Sequence, residues 1–335
     1  MFFIGRGARE SVARIHEDWD GERRMTDENY RSEWAAILCC CLVAAAAGCH
    51  AAPSARVNPA HDAGLARRIE ERVAREPGAF VGVQYIDLGG HDTFGINADS
   101  VMHAASTMKL PVMMRLYRES DNRTLSLDSK VLLVNSFASI VDGSRYALDP
   151  GVDSDSAMYR LVGDSVTVRE LIRHMITRSS NLATNTLISL ANPDSVNAMM
   201  RAMGAGRMRV LRGVEDQKAF DARLNNTATA HDLGVLLQAL ETGRAASPAA
   251  TAEMLAILSA QEFNQRIPAG LPPGTRVAHK TGDITAIAHD AAIVYPSNRP
   301  PYVLVVLTRG IARQPAADSL IADISREVFS HATSH

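Results

Sequence analysis

The strongest constraint on this chain is the wide separation of its strand-like runs. "AFVGVQYIDL" and "HDTFGIN" lie on either side of Gly89 and Gly90 and read as two strands around a turn. Two strands alone do not make a stable sheet. The next such runs, "RVAHKTGD", "AHDAAIVYP" and "PYVLVVLTR", begin only at residue 276. The first pair must therefore wait for the last three. Between them the signals are mostly helical from Ser106 to about residue 262. "TVRELIRHMI" opens with Thr167 and has Glu170 three residues on, a capping box. "TAHDLGVLLQALETG" puts Leu233, Leu236, Leu237 and Leu240 on one face. "SPAATAEMLAILSAQE" carries Pro248 in its first turn. Leu65, Ile69 and Val73 mark an amphipathic helix ahead of the first strand, and "AADSLIADISREVFS" a last helix. The expected fold is α+β: a five-stranded antiparallel sheet flanked by the terminal helices, plus an all-helical lobe. The α/β lobe would take residues 62–104 and 268–335, and the helical lobe 105–267, with a cleft between them as the natural place for a site.

The N-terminal residues read differently. "AAILCCCLVAAAAG", residues 35–48, is an apolar run too short to span a membrane comfortably and suited to an export signal. It ends in "AAGCH", a small-small-Cys pattern like a lipoprotein cleavage box, with Cys49 as the lipid-bearing residue. Cleavage by an ordinary signal peptidase near Ala52 is the competing expectation, and Met25 is an alternative start. Residues 1–49 are thus expected to be an extension and signal, 50–61 a tether rich in Ala and Pro, and 62–335 the catalytic domain. All four cysteines (39, 40, 41 and 49) lie within or beside the signal. The domain is therefore expected to hold no disulfide and no cysteine-ligated metal. A net charge of −2 gives no electrostatic reason to propose nucleic acid as a partner.

Three short motifs carry chemistry. "HAASTMKL" places Ser106 and Lys109 three apart at an expected helix start, on one face. A serine needs a base to become a nucleophile. The positive end of a helix favours a neutral lysine and offers free N–H groups to an oxyanion. Taken alone, the pair reads more readily as an N-capping serine and a solvated lysine. "RSSNLATN" supplies Ser179 and Asn181 before a helix, as caps or as a proton relay with a substrate-gripping amide. "HKTG" supplies Lys280, Thr281 and Gly282 in a strand, as a carboxylate-binding pair or as an edge strand with a protective lysine. A strand glycine marks close approach of a backbone or ligand. The chain has only four lysines, and two of them stand in these motifs.

In the order S-x-x-K, S-x-N, K-T-G, the chain over residues 62–332 resembles the serine β-lactamase and penicillin-binding superfamily, and most closely its class A-type branch. The resemblance implies Ser106 as the acylated nucleophile and Lys109 as its base or as part of the relay. It implies Ser179 as the donor to the leaving lactam nitrogen and Asn181 as a contact for the substrate amide. Lys280 and Thr281 would bind the substrate carboxylate beside Gly282, and the N–H groups of Ser106 and Asp283 would hold the oxyanion. No metal or organic cofactor is implied, and the histidines form no H-x-H or H-E-x-x-H pattern. The partner would be a β-lactam or a peptidoglycan-like acyl donor, and the protein a monomer in the periplasm.

Two departures stand out. The second motif reads Ser179-Ser180-Asn181, without the usual central aspartate. The branch's E-x-x-L-N loop motif is also missing from "VLRGVEDQKAFDARLNN". Glu215 is the candidate water-activating acid by position, with Asp216 next to it, and a structural pairing of Glu215 with Arg212 is the alternative. Three functions remain open: a β-lactamase, a related D,D-peptidase or esterase, and a slowly deacylating sensor of lactams or peptidoglycan.

Overall fold

The computed structural model describes residues 59–90 and 92–334. The leader, Cys49 and most of the tether lie outside the described residues. The first helix, α1 (Pro59–Val73), begins three residues before the expected domain boundary. A proline suits a first helical turn, because its missing N–H would find no intrahelical partner there.

The sheet is built from β1 (Phe80–Asp87), β2 (Thr93–Ile96), β3 (Arg276–Ile284), β4 (Ile287–Tyr295) and β5 (Tyr302–Arg309). All neighbours are antiparallel, in the order β2-β1-β5-β4-β3. The first hairpin therefore joins the last three strands edge to edge, as its own size requires. β1 pairs with β5 from Phe80↔Arg309 to Asp87↔Tyr302. Side chains of β5 alternate between two cores. Tyr302, Leu304 and Val306 pack with Leu65, Ile69, Leu320 and Ile324 of the terminal helices. Val303, Val305 and Leu307 pack with Leu233, Leu236 and Leu237 on the other face. A strand buried on both faces reads as a continuous apolar run, which accounts for "YVLVVL".

The other helices are α2 (Lys109–Asp121), α3 (Val168–Thr177), α4 (Asn181–Ala191), α5 (Pro193–Ala202), the short α6 (Gln217–Asp221), α7 (Ala230–Glu241), α8 (Pro248–Ser259) and the terminal α9 (Gln314–Thr333). α2 runs through the middle of the helices, with Leu110, Val112, Met113, Met114, Leu116 and Tyr117 all buried. Thr167 caps as expected, its hydroxyl accepting from Glu170 N at 3.2 Å, and the Ser247 hydroxyl likewise accepts from Ala250 N at 3.3 Å. Each such cap is worth about 1 kcal/mol.

One stretch departs from the helical expectation. Between α2 and α3 the chain forms two small antiparallel ribbons, Lys130–Leu132 with Ser165–Thr167 and Phe137–Ala138 with Arg145–Tyr146, and then a 3₁₀ segment, Ser156–Leu161. Its Asp, Ser and Gly residues favour turns over helix interiors, because their short side chains bond locally to the backbone. Among the described residues, no helix is long and apolar enough to cross a membrane.

Candidate active site

The chain reaches Ser106 through a strained turn. Ala105 sits at φ 45°, in the left-handed region that costs a non-glycine residue about 1–2 kcal/mol. A 3₁₀ turn, Ala105–Met108, follows, and the α-helix begins only at Lys109. The expected α-helical start at Ser106 is thus one turn early. The tight turn is closed by Thr107, whose N–H and hydroxyl both bond to Ala104 O, at 3.1 and 2.6 Å. Ser106 is partly exposed and Lys109 wholly buried.

Gly282 of β3 lies against this turn. A Cβ there would come within 3.0 Å of Ser106 N and 3.1 Å of Thr107 N. The glycine of K-T-G thus lets the strand backbone pass directly over the start of the nucleophile turn. Behind it, His289 of β4 is fully buried. Its Nε2–H donates to His103 O (2.8 Å), just ahead of the turn, and its Nδ1 lies against Thr308 N (3.1 Å) and Ala288 O (2.8 Å). Burial pulls its pKa down to about 4 and keeps it neutral.

Two buried amines converge on one hydroxyl. Lys109 Nζ donates to Ser179 O at 2.5 Å and to Asn181 Oδ1 at 3.0 Å, and lies 3.2 Å from Ser179 Oγ. Lys280 Nζ donates to Ser179 Oγ at 3.0 Å and to Thr281 O at 2.8 Å. Burial pulls Lys109 down from 10.5 to about 7, against the opposing pull of Asp153, Glu215 and Asp283. Lys280 is held well below its usual value by burial first and by repulsion from Lys109 second. Near neutrality, a free amine and a bridging hydroxyl therefore coexist in one dry cluster. Ser179 reaches it from a left-handed backbone, φ 57°. Ser180 faces the other way and caps α4 through Ala183 N.

Glu215 lies in the same place. It shares a cavity of about 380 Å³ with Ser106, Asn181, Arg212, Asn226 and Asp283. Its Oε1 accepts from Asn181 Nδ2 at 2.9 Å and its Oε2 from Asp149 N at 3.2 Å. Arg212 does not hold it. That guanidinium bonds to Leu224 O, Gly213 O and Asn225 Oδ1. Asn226 accepts from Leu211 N and Arg212 N and donates to Arg212 O. "LNN", distant in sequence, is the strap that closes the loop carrying Glu215. Asp216 lines the same cavity, but its carboxylate is taken up by Ser139 Oγ (2.9 Å), Ile140 N (3.0 Å) and Ala219 N (3.1 Å), where it caps α6.

Thr281 is buried on β3 and faces a neighbouring cavity with Arg266, Asp283, Gln314 and Asp318. Arg266 went unseen in the sequence. It donates to His289 O (2.7 Å), Gly282 O (3.3 Å) and Asp318 (2.7 Å), and pairs with Asp283. It puts a buried cation behind the K-T-G strand. Asn185 also went unseen, although it bonds both ways to Val214, next to Glu215, at 2.6 and 3.0 Å. Neither residue stands in a recognisable spacing, and only the folded loop brings them here. His279 is packed between Asp290 Oδ1 and Asn264 Oδ1.

The arrangement suits acyl transfer: a serine on a turn, a buried amine of lowered pKa, a hydroxyl bonded to two amines, and a carboxylate in the cavity that the serine lines. Comparison with known proteins points the same way. The profile of the Beta-lactamase enzyme family matches residues 64–332. A β-lactamase of Streptomyces fradiae is 30% identical over 82% of this chain and 90% of its own length. One of Streptomyces albus G is 28% identical over 79% of this chain and 85% of its own. The structure of PBP-A is similar with a TM-score of 0.70, at 25% identity, over 83% of this chain and 97% of that one. A variant of the last common ancestor of Gram-negative bacteria class A β-lactamase gives 0.71, at 27% identity, over 81% and 100%.

Proposed function

This chain belongs to the β-lactamase enzyme family, and from that premise we propose that it is a class A-like serine β-lactamase. Ser106 Oγ adds to the lactam carbonyl as its proton passes to the Lys109 amine. The C–N bond then breaks, and the nitrogen takes a proton through Ser179. The N–H groups of Ser106 and Asp283 receive the oxyanion, and Lys280 with Thr281 the substrate carboxylate. Water, activated by Glu215, then hydrolyses the ester and returns Ser106. The observation that carries the hydrolytic reading is the Glu215 carboxylate in the cavity that Ser106 lines. Glu215→Gln tests it. Acylation should persist while deacylation slows by roughly 10²–10⁴-fold, the worth of a general base, so that the adduct accumulates in intact-mass spectra. Unchanged turnover would remove Glu215 from the mechanism.

The absence of E-x-x-L-N and the similarity to PBP-A favour a second reading, a D,D-peptidase that lactams inhibit. Residues 54–335 mixed with a chromogenic cephalosporin separate the two. Sustained colour means a β-lactamase. One equivalent of colour with a lasting adduct on Ser106 means the peptidase or the slow sensor. For the leader, the apolar run at 35–48 and Cys49 support export to the periplasm with a lipid anchor. The mass of the mature protein tests this: a diacylated Cys49 supports the anchor, and a free start near Pro53 rejects it.

A further inference from the structure

The second motif lacks its central acid, yet a carboxylate stands at the N-terminus of the helix it begins. Asp153, in the segment between α2 and α3, is 6% exposed. Its Oδ2 accepts from Asn181 N at 2.9 Å, Leu182 N at 3.1 Å and the Tyr159 hydroxyl at 3.0 Å, and its Oδ1 accepts from Asp155 N at 3.0 Å. Asn181 and Leu182 are the first two residues of α4, whose N–H groups have no partner within the helix. An acid placed there gains charge-assisted bonds and the favourable end of the helix dipole.

We propose that Asp153 is the positioning residue that takes over from the missing acid of the second motif, fixing Ser179 and Asn181 against Lys109. The proposal rests on the acyl-transfer reading of this site. A carboxylate at position 180 would approach the same helix end from the chain itself, since the Ser180 hydroxyl already caps Ala183 N. In this protein it comes instead across the cleft wall. The same segment supports the facing loop: Asp149 N donates to Glu215, and the Tyr146 hydroxyl donates to Val214 O at 3.2 Å. One stretch of chain thus braces both sides of the cavity.

Asp153 also acts on the base. Lys109 feels Asp153 most among the acids, ahead of Glu215 and Asp283, and its own charge lowers Lys280. The Asp153 charge favours the protonated amine. Its removal should let Lys109 stay free to lower pH, moving the acidic limb of the acylation profile down. A purely structural residue would not move that limb.

The test is stopped-flow acylation of residues 54–335 by a chromogenic cephalosporin across pH, for the parent, Asp153→Asn and the exchange Asp153→Ser with Ser180→Asp. Asp153→Asn should acylate about 10- to 100-fold more slowly, the scale for a displaced catalytic group, with the limb shifted to lower pH. The exchange should recover to within several-fold of the parent. A parent that is never acylated on Ser106 defeats the acyl-transfer reading itself. If the parent acylates, Asp153→Asn within twofold at an unmoved limb overturns the positioning role. If Asp153→Asn does not fold, an exchange variant that also fails to fold and acylate overturns it.

Discussion

In the proposed mechanism, burial of the Lys109 amine sets the pH at which Ser106 becomes reactive. With that amine near 7, acylation should rise with pH through neutrality and level off above it. Acylation flat from pH 5 to 8 would mean that Lys109 is not the base. His289 gives a second pH effect with the opposite chemistry, on stability. The unfolded histidine takes up a proton near 6.5, and the buried one refuses it until about 4. In that window the unfolded chain binds more protons, so stability falls as pH drops, by roughly 3 kcal/mol in all. Urea unfolding at pH 7 and pH 5 should show part of this loss in the parent. His289→Gln should show a smaller pH dependence, and an equal one would place the titration elsewhere.

At the scale of elements, two contacts set the site. β3 crosses the nucleophile turn at Gly282, where a methyl would meet backbone nitrogen at 3.0 Å. Gly282→Ala should force the strand and the turn apart, costing about 1–3 kcal/mol by overpacking and slowing acylation far more than it lowers Tm. Full acylation in that variant would show that the contact does not align Ser106. The Glu215 loop hangs on Asn226, which makes three bonds to Leu211 and Arg212. Asn226→Ala leaves those buried backbone groups unpaired. It should slow deacylation more than acylation, because the loop carries Glu215 whereas Ser106 rests on the 3₁₀ turn ahead of α2. Rapid-quench kinetics would separate the two steps, and equal losses would argue against a loop-specific effect.

For the whole molecule, the sheet joins the two ends of the domain. β1 has β2 and β5 as neighbours, the latter over two hundred residues downstream. A chain truncated after residue 270 should therefore lack a cooperative thermal transition, since it would keep only the marginal first pair of the sheet's five strands. A sharp transition would mean that the helices fold alone. Much of this architecture was legible in the residues. The continuous apolar run "YVLVVL", the cap at Thr167 and the apolar face of α7 reflect local patterns that any chain must obey. Ser106, Lys109, Ser179 and Lys280 were legible because their spacing is itself chemical. Asp153, Arg266 and Asn185 were not, since each acts through a side chain reaching another element, and no period encodes that. The sequence by itself determined which elements form and which nucleophile, amines and hydroxyl are present, because these follow from short-range pattern and residue type. Only the tertiary structure decided that Lys109 is dry, that Asp153 caps the second motif, and that Glu215 rather than Asp216 meets Asn181. Burial and long-range hydrogen bonds exist only once distant segments have packed.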